Sequence, residues 1–360
     1  MPNTLVTGAN GFLAAHIIDQ LISAGHKVTG SVRSVSKGER ILATHSEYEG
    51  KLNFVVVSEY AKQGTWDEAF KEGEFDFVVH TAAPLLDDPG NTNFERDFLN
   101  PSVGGALELL KSASKYGKKI KAISVTGSVN SMTTGMDIAD RSFNSSEWLP
   151  VSVDDAIKAN HSYISYCVAK AESEKAIWKY VEEQKPTYTV SVLLPALIFG
   201  PPIQPVASLK KINYSTDVLY SLFNGTYETV PDTSFPSYID VRDLAAAHIL
   251  ALTLPTVANK RFLVGGNKYS SQIAVDALKT LPELKDRLPK DGNEAEKPLR
   301  MDDVLRWNEK LGLKPRTALQ TFGDAARRLL ELEKSLNCYL VSKSLPQIRM
   351  ILEARKLKTS

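Results

Sequence analysis

Three side chains with complementary acid–base chemistry, Ser128, Tyr166 and Lys170, lie in the middle third of this chain of 360 residues. Tyr166 and Lys170 are four residues apart, so on a helix they project from the same face, one turn apart. An ammonium beside a phenol favours the phenolate, which makes the phenol a better proton donor near neutral pH. The spacing alone is common and also fits a surface lysine beside a packed tyrosine, so the upstream sequence must decide between the two interpretations.

The upstream sequence contains a glycine-rich turn in which Gly8, Gly11 and Ala14 are the small residues. A predicted strand precedes this turn and an amphipathic segment follows it. In that context the first glycine lets the chain turn, the second lets the backbone approach a pyrophosphate, and the alanine allows close packing of helix on strand. A purely structural turn is the alternative, but the flanking strand and helix favour a dinucleotide site.

The end of the second predicted strand indicates which dinucleotide would bind. A site for NAD usually has a carboxylate here, which accepts hydrogen bonds from the ribose hydroxyls. In this chain Arg33 follows the strand, Lys37 comes shortly after, and no acidic residue occurs before Glu39. A guanidinium can pair with a 2′-phosphate through two hydrogen bonds, and the lysine adds a second positive charge. Both cations would also suit a solvated loop, but their position predicts NADPH as the cofactor.

These groups together have the chemistry of a carbonyl reductase. Hydride transfer from nicotinamide to a carbonyl carbon places negative charge on the oxygen, which then needs hydrogen-bond donors and an acid. Ser128 can orient the oxygen, Tyr166 can donate its proton, and Lys170 can hold the nicotinamide ribose and stabilise the tyrosinate. The sequence therefore predicts an NADPH-dependent enzyme that reduces a small-molecule aldehyde or ketone to an alcohol.

The first half of the chain alternates short apolar runs with longer amphipathic segments. This alternation predicts βαβ units and a doubly wound parallel sheet, which is an α/β Rossmann fold, with a smaller and mostly C-terminal substrate lobe. The predicted strands span residues 4–7, 27–32, 53–57, 75–81, 120–126 and 187–194. The predicted helices span residues 12–24, 35–47, 66–71, 94–116, 162–183 and 317–336.

The alternation of apolar and amphipathic segments ends after residue 194, where prolines and glycines interrupt it. We predict a dinucleotide-binding core over residues 1–195, to which residues 238–264 return. The substrate lobe is predicted over residues 196–237 and 265–334. Residues 335–360 form a tail to which the sequence assigns no role.

The composition is typical of a soluble globular protein, with 43% hydrophobic and 24% charged residues and a formal net charge of +1. This charge gives no reason to expect nucleic acid or a membrane surface as a partner. No apolar run reaches membrane-spanning length, the chain enters a strand at once, and two cysteines fit a reducing compartment. We therefore predict a cytoplasmic monomer or homodimer, without a leader segment. No histidine has the spacing to other ligands that a metal site needs, so no metal ion is predicted.

Several motifs, in the same order along the chain, resemble those of the extended short-chain dehydrogenase/reductases in the dihydroflavonol-reductase-like branch. Within that branch the chain is most similar to the fungal NADPH-dependent methylglyoxal and carbonyl reductases, and the resemblance begins at residue 3 and ends near residue 334. The motifs are TGANGF from residue 7, GSVRS from residue 30, VHTAAP from residue 79, YCVAK from residue 166, FGP from residue 199 and YIDVRD from residue 238.

The resemblance implies that Ser128, Tyr166 and Lys170 form a catalytic triad. Gly127 stands where the family commonly has serine, so we expect a looser backbone beside Ser128. Glu59 stands where aspartate is commoner, and its carboxylate could still accept a hydrogen bond from the adenine amino group. The residues implied to bind the cofactor are Gly8, Ala9, Asn10, Gly11, Phe12, Leu13, Arg33, Lys37, Glu59, Tyr60, Thr81, Ala82, Tyr166, Lys170, Pro195, Ile198 and Ser215.

The residues that flank the triad in the sequence are the candidates for the substrate wall, namely Leu85, Thr133 and Tyr163. His80 lies in an apolar strand and is predicted to be a packed histidine rather than a metal ligand. Cys167 is predicted to be a small core residue on the helix face opposite Tyr166.

Two other functions are compatible with the same fold. A sugar-nucleotide epimerase or dehydratase would retain its dinucleotide and need groups for a second diphosphate, and the predicted 2′-phosphate site argues against it. A non-catalytic, NADPH-sensing regulator would be expected to lack Tyr166 or Lys170, and both are present. Because the fold alone does not separate these functions, the site must do so.

Overall fold

A seven-stranded parallel sheet forms the centre of the computed structural model, which describes residues 1–84, 93–135, 142–292, 300–301 and 303–336. Its strand order is β10-β7-β5-β4-β1-β2-β3, so β1 lies between β4 and β2. The strands are β1 Asn3–Val6, β2 Lys27–Val32, β3 Leu52–Val56, β4 Phe77–His80, β5 Ala122–Thr126, β6 Ser142–Phe143, β7 Thr189–Pro195, β8 Leu197–Phe199, β9 Ser237–Asp240, β10 Arg261–Val264, β11 Asn267–Lys268 and β12 Arg300–Met301.

Helices cover both faces of this sheet, because the side chains of its central strands are apolar on both sides. Leu5 and Val6 show the alternation: Leu5 belongs to one buried cluster and Val6 to the cluster on the other face. The helices are α1 Phe12–Ser23, α2 Val35–Thr44, α3 Asp67–Glu72, α4 Asn100–Tyr116, α5 Val153–Ala159, α6 Ser162–Gln184, α7 Tyr214–Ser221, α8 Val241–Ala251, α9 Ser271–Leu278, α10 Val304–Leu311 and α11 at residues 318–336. Helices α1 and α8 pack on the Val6 face, while α4 and α6 pack on the Leu5 face.

The position of β1 determines where a ligand can approach the sheet. The chain runs from β1 outward to β2 and β3, then returns to β4 on the other side of β1. In open parallel sheets, ligands bind at the carboxyl ends of the strands where the direction of winding reverses. The residues that follow β1, β4 and β5 therefore meet at one edge of the sheet. The predicted Rossmann fold is confirmed.

A second sheet, of strands β8, β9 and β11, lies in the C-terminal half of the chain. Its core contains a cluster of aromatic rings, in which Phe199, Tyr238, Tyr269 and Phe322 have centroids 4.9–6.4 Å apart. Strand β9 belongs to this second sheet, whereas β10 pairs with β7 in the first. The predicted division into domains stays a prediction.

Two predicted helices differ in extent or type from those in the structure, while the other four agree to within one residue at each end. The predicted helix at 94–116 is a π-helical turn, Phe94–Leu99, followed by α4. Pro101 stands in the first turn of α4, where its missing N–H costs least, and it marks the change of helix type. The predicted helix at 35–47 stops at Thr44 and continues as the short 3-10 turn Ser46–Tyr48. Among the helices of the described residues, none combines the length and the apolarity needed to cross a membrane.

Candidate active site

The glycine turn between β1 and α1 packs against the end of β2. The amide N–H of Gly8 donates to Ser31 Oγ at 3.0 Å, and that of Ala9 donates to the Ser31 carbonyl at 2.9 Å. Gly8 has a φ of 69°, which favours glycine. A Cβ on Gly30 would lie 2.6 Å from the Ala9 Cβ, so Gly30 is required for this close approach. Sequence reasoning gave Gly30 no role of its own.

Helix α1 begins directly after this turn with its amide groups uncapped by any side chain. Gly11 is the N-cap residue, and the first turn of α1 contains no acidic side chain. The amide groups and dipole at such a helix start favour an anion. Phe12 and Asn10 are half-buried there, and Leu13 is buried. The segment predicted to bind the pyrophosphate thus has the backbone geometry that this role needs.

Thr7 joins the end of β1 to the end of β4. Its Oγ1 accepts from the amide groups of Thr81 and Ala82, each at 3.0 Å, and is hydrogen-bonded to His80 Nδ1 at 2.9 Å. The Thr81 hydroxyl donates back to the Thr7 carbonyl at 2.5 Å. Burial, reinforced by the charge of Lys170, lowers the pKa of His80 to about 4, so this ring is neutral. His80 is therefore a packed histidine, as predicted, and it helps to hold Thr81 and Ala82 beside the glycine turn.

The predicted 2′-phosphate site lies at the end of β2. Arg33 is exposed directly after the strand, and Lys37 is half-buried in the first turn of α2. A cation in that turn is disfavoured by the helix dipole, so an anion bound there would relieve the repulsion. Burial raises the pKa of Tyr60 to about 12, and the charge of Arg33 opposes that shift. Glu59 is exposed and pairs with Lys62 at 3.7 Å.

Gly127, after the last residue of β5, is held firmly rather than loosely. Its amide donates to the Leu193 carbonyl of β7 at 2.7 Å. A Cβ at this position would lie 2.6 Å from Leu194 Cδ2 and 2.9 Å from Val192 Cγ1. The expectation of a looser backbone beside Ser128 is therefore wrong, because the glycine is there for close packing against β7.

Ser128 is buried and is hydrogen-bonded to Asn130, a residue that sequence reasoning missed. The Ser128 hydroxyl donates to Asn130 Oδ1 at 3.2 Å and accepts from the Asn130 amide at 3.1 Å. Asn130 Nδ2 in turn donates to the Tyr163 hydroxyl at 2.9 Å and to the Thr133 carbonyl at 3.2 Å. The available signal was an amide side chain two residues after a serine in a predicted turn, where such side chains commonly bond to each other and to the backbone.

Of the predicted substrate-wall residues, Thr133 follows this turn and Tyr163 contacts it from α6. Tyr163 donates its hydroxyl to the Thr134 carbonyl at 2.8 Å, and burial raises the pKa of its phenol. Thr133 is buried and accepts from the amide of Gly135 at 3.0 Å. Both hydroxyls thus have partners within the protein, and the Thr133 hydroxyl, which only accepts in this contact, keeps its proton for a further hydrogen bond. Leu85 lies outside the described residues.

Cys167 differs in part from its prediction. It is buried, as expected, but its Sγ accepts from Asn130 Nδ2 at 3.3 Å. It therefore faces the Ser128 turn rather than the side opposite the site. The physical reason is the helical repeat, which places residues 163 and 167 on one face of α6. Burial raises the pKa of Cys167 to about 12, so it is a neutral thiol.

Lys170 reaches back from α6 to the end of β5. Its Nζ donates to the Thr126 carbonyl at 3.1 Å, two residues before Ser128. Burial lowers the pKa of Lys170 to about 8, and the carboxylate of Glu174 opposes that shift. Tyr166 is half-buried one turn earlier on the same helix. The structure thus brings α6 to the edge of the sheet where Ser128 lies.

The last three predicted cofactor residues follow β7. Pro195 ends that strand, Ile198 lies in β8, and Ser215 lies in the first turn of α7. The Ser215 hydroxyl donates to the Ile198 carbonyl at 2.5 Å, so these two residues meet although 17 positions separate them in sequence. Within the residues that the structure describes, no group of three or more histidine, cysteine or acidic side chains could hold a metal ion.

The glycine turn, the reversal of winding at β1 and the cluster of Ser128 and Lys170 define a Rossmann-type enzyme that acts with a dinucleotide. NADPH-dependent methylglyoxal reductase of Saccharomyces cerevisiae is 30% identical to this chain, over 92% of this chain and 99% of the relative. A ketoreductase of Aspergillus niger is 31% identical, over 91% of this chain and 97% of the relative. The crystal structure of yeast methylglyoxal/isovaleraldehyde reductase complexed with NADPH superposes with a TM-score of 0.82 at 29% identity, covering 92% of this chain and 99% of that chain.

A family model describes the greater part of the chain. The model of the NAD dependent epimerase/dehydratase family matches residues 4–265. This chain therefore belongs to that family, and the membership predicted from its motifs is confirmed.

Proposed function

We propose that this chain reduces small-molecule aldehydes and ketones to alcohols with NADPH as the hydride donor. The observation that carries the proposal is the hydrogen bond from Lys170 to the Thr126 carbonyl at the carboxyl end of β5, two residues before Ser128, with Tyr166 one helical turn before Lys170. Strand β4 lies between β5 and β1, so this cluster adjoins the edge at which the glycine turn begins. The names of the relatives support the same class of enzyme.

The residues present fit a bound NADPH. The uncapped start of α1 suits its pyrophosphate. Arg33 with Lys37 suits the 2′-phosphate, since the sequence from Arg33 to Gly38 contains no carboxylate that would serve a free ribose instead. When bound, NADPH supplies the hydride that the side chains of the protein cannot supply. The tasks left to the chain are to orient the carbonyl group, to stabilise charge on its oxygen and to provide a proton.

Each of the three polar side chains has one of these tasks. Ser128 donates a hydrogen bond to the carbonyl oxygen, for which its hydroxyl must turn away from Asn130 Oδ1. Tyr166 donates a hydrogen bond to the same oxygen and transfers its proton to the alkoxide. Lys170 stabilises the resulting tyrosinate. Its hydrogen bond to the Thr126 carbonyl holds the ammonium at the carboxyl end of β5.

The substrate class follows from the site and from the relatives. A centre with one acid and no metal ligands among its described residues suits a reactive carbonyl, such as an aldehyde, an α-dicarbonyl like methylglyoxal or a keto ester. The yeast and Aspergillus relatives are named for a methylglyoxal and a ketone substrate, respectively. We also propose a cytoplasmic location, which the two cysteines support, and a monomeric or homodimeric state.

The alternatives make different demands on the site. An epimerase or dehydratase of sugar nucleotides would keep its dinucleotide through the cycle, whereas a reductase must exchange NADPH for NADP each turn. A sensor would bind NADPH without using the proton of Tyr166. The half-buried Tyr166 and the lowered pKa of Lys170 favour a working acid–base pair.

The experiment that tests the proposal combines a substrate panel with one substitution. We expect NADPH consumption, followed by absorbance, with members of a panel of aldehydes, α-diketones and β-keto esters. Tyr166→Phe should lower turnover by at least ~10²-fold, because the general acid is lost. Its NADPH affinity, measured by fluorescence titration, should stay unchanged. Tyr227→Phe removes an equivalent hydroxyl from a tyrosine that is 41% exposed and serves as the matched control.

Three outcomes would contradict the proposal. Parental turnover in Tyr166→Phe would remove this tyrosine from the mechanism. A parent that binds NADPH and reduces no member of the panel would favour the sensor, and conversion of a UDP-sugar with the dinucleotide retained would favour the epimerase.

A further inference from the structure

One guanidinium, that of Arg261, holds together three segments around the candidate site. It lies at the start of β10 and pairs with Glu174 of α6 through two hydrogen bonds, at 2.6 and 3.2 Å. Its remaining nitrogen donors reach Ser131 Oγ at 3.1 Å and the carbonyls of Ser145 and Glu147 at 2.6 and 2.7 Å. The group is stacked on the Trp148 ring with 3.9 Å between the guanidinium carbon and the ring centroid.

Two of these partners connect directly to the proposed catalytic groups. Ser131, which accepts from Arg261, donates its own hydroxyl to the Ser128 carbonyl at 2.9 Å. Glu174 lies four residues after Lys170, so it stands one turn further along the same helix. A continuous path of hydrogen bonds thus runs from α6 through Arg261 and Ser131 to the backbone of Ser128.

Stability alone does not explain such a pair in this position. The side chains of Arg261 and Glu174 are only 11% and 2% exposed, so both charges lose most of their hydration on folding. Buried ion pairs of this kind are commonly no more stabilising than well-packed apolar side chains of similar volume. Unlike apolar packing, the pair has a defined geometry, because a planar guanidinium fixes the relative positions of all the oxygens it binds.

We propose that Arg261 is a positioning residue for the reductase, and the inference rests on the function proposed above. Its ion pair anchors it to α6, which carries Tyr166 and Lys170. Its hydrogen bond to Ser131 sets the backbone of Ser128 relative to that helix. The Ser128 hydroxyl and the Tyr166 phenol must donate to the same oxygen atom, so a small change in the distance between their segments weakens both hydrogen bonds. Displacements of about 1 Å around a reacting centre commonly cost about 10²-fold in rate.

The test is a double-mutant cycle in turnover number. Arg261→Lys retains the positive charge but loses the planar guanidinium that binds several oxygens at once. We expect kcat to fall by about tenfold or more, while NADPH affinity changes less than about twofold. Ser131→Ala removes the hydroxyl that connects Arg261 to the Ser128 carbonyl, and it leaves the ion pair of Arg261 intact. We expect kcat to fall by the same factor. In a Ser128→Ala background, which no longer uses the serine hydroxyl, Arg261→Lys should cost less than about threefold.

The matched control is Arg287→Lys. Arg287 also binds a glutamate, Glu333, through two hydrogen bonds, at 2.7 and 2.9 Å, and it also donates to a backbone carbonyl, that of Phe223. Phe223 belongs to the core beneath the second sheet, and Glu333 lies in α11, so neither partner is in the Ser128 turn or in α6. We expect its conversion to lysine to leave kcat unchanged.

The outcomes separate this inference from the proposed function. An active parent in which Arg261→Lys and Ser128→Ala act additively on kcat would overturn the positioning role and leave the reductase intact. If Arg261→Lys does not fold, Ser131→Ala decides the question, and parental kcat in that variant would overturn the role equally. A parent without reductase turnover would overturn the proposed function, and the inference with it.

Discussion

The ammonium of Lys170 and the backbone carbonyl of Thr126 are hydrogen-bonded at 3.1 Å. This contact joins a helix to the end of a strand 44 residues earlier in the sequence, two residues before Ser128. Thr126 is itself held by His248, whose Nε2 is 3.0 Å from the threonine hydroxyl and whose pKa burial lowers to about 3. The neutral, buried His248 therefore supports the strand end that receives Lys170.

The lowered pKa of Lys170 predicts a loss of activity at alkaline pH. Since burial lowers that pKa to about 8, the ammonium loses its proton as the pH rises through this value. We expect kcat/KM for reduction to fall by about tenfold per pH unit well above pH 8, because the tyrosinate then lacks its cation. In Lys170→Arg the guanidinium stays charged, so the fall should begin at a higher pH. The same alkaline limb in both proteins would contradict the assignment.

The lowered pKa of Lys170 also predicts that the stability of the fold rises with pH, whereas activity falls. Between about 8 and the ordinary lysine value of 10.5, the unfolded chain binds more protons at this position than the folded chain does. Stability contributed by the group therefore rises with pH across this window. We expect the free energy of unfolding in urea, measured at pH 7.5 and at pH 10, to rise with pH for the parent relative to Lys170→Met. If the difference in free energy of unfolding between the parent and Lys170→Met does not change with pH, folding does not lower the pKa of Lys170.

The preference for NADPH should depend on Arg33. Loss of a charge-assisted pair with the 2′-phosphate costs about 1.5–3 kcal/mol, or about ten- to over a hundredfold in affinity. We expect Arg33→Ala to raise KM for NADPH by such a factor and to leave KM for NADH nearly unchanged. Arg40→Ala, which removes an exposed arginine from the following helix α2, is the control. Equal use of both cofactors by the parent would show that the phosphate site is misassigned.

Asn130 should matter for turnover rather than for cofactor binding. Its side chain donates to the Thr133 carbonyl and the Tyr163 hydroxyl, so Asn130→Ala loosens the turn that positions Ser128. We expect kcat to fall by about tenfold or more, in line with the loss of a positioned donor, while the Kd for NADPH stays the same. Asn224→Ala removes a comparable turn-capping amide from the surface and should be neutral. A normal kcat in Asn130→Ala would show that Ser128 needs no such partner.

Gly127 should not tolerate the serine that is common at its position in the family. The new Cβ would lie 2.6 Å from Leu194 Cδ2 and 3.0 Å from the Leu193 carbonyl oxygen. Overpacking of this kind typically costs about 1–3 kcal/mol, and we expect a loss of that size in urea unfolding of Gly127→Ser. Adding Leu194→Ala should recover part of it, relative to Leu194→Ala alone. Full stability of Gly127→Ser would mean that β7 can move to make room.

Removal of the segment after Lys334 should leave the enzyme active. Every residue assigned to the site precedes that position, and Glu333, which binds Arg287 and Tyr220, is retained. Residues 337–360 lie outside the described part of the chain. We expect soluble protein with a kcat near the parental value, measured with the substrate that the panel selects. Insoluble protein on truncation would assign the segment a structural role.

Several features of this protein could be read from the amino-acid sequence because they are local. The strand at Lys27–Val32 has the predicted bounds, and the glycine turn opens α1 where the small residues indicated. Strands of this kind are short runs of β-branched residues, and a helix after a glycine turn needs only its own amphipathic pattern. The elements after residue 195 were harder to predict: β8 and α7 lie between prolines and glycines that interrupt any regular period.

The sequence by itself determined the order of the elements, the small residues of the glycine turn and the spacing of Tyr166 and Lys170, since each depends only on neighbours along the chain. Only the tertiary structure decided that Asn130 binds Ser128, that Gly127 is required by the packing of β7, and that Arg261 connects α6 to the Ser128 turn. These contacts join residues from different strands and helices. Their existence depends on how the parallel sheet brings the ends of its strands together, which no local pattern records.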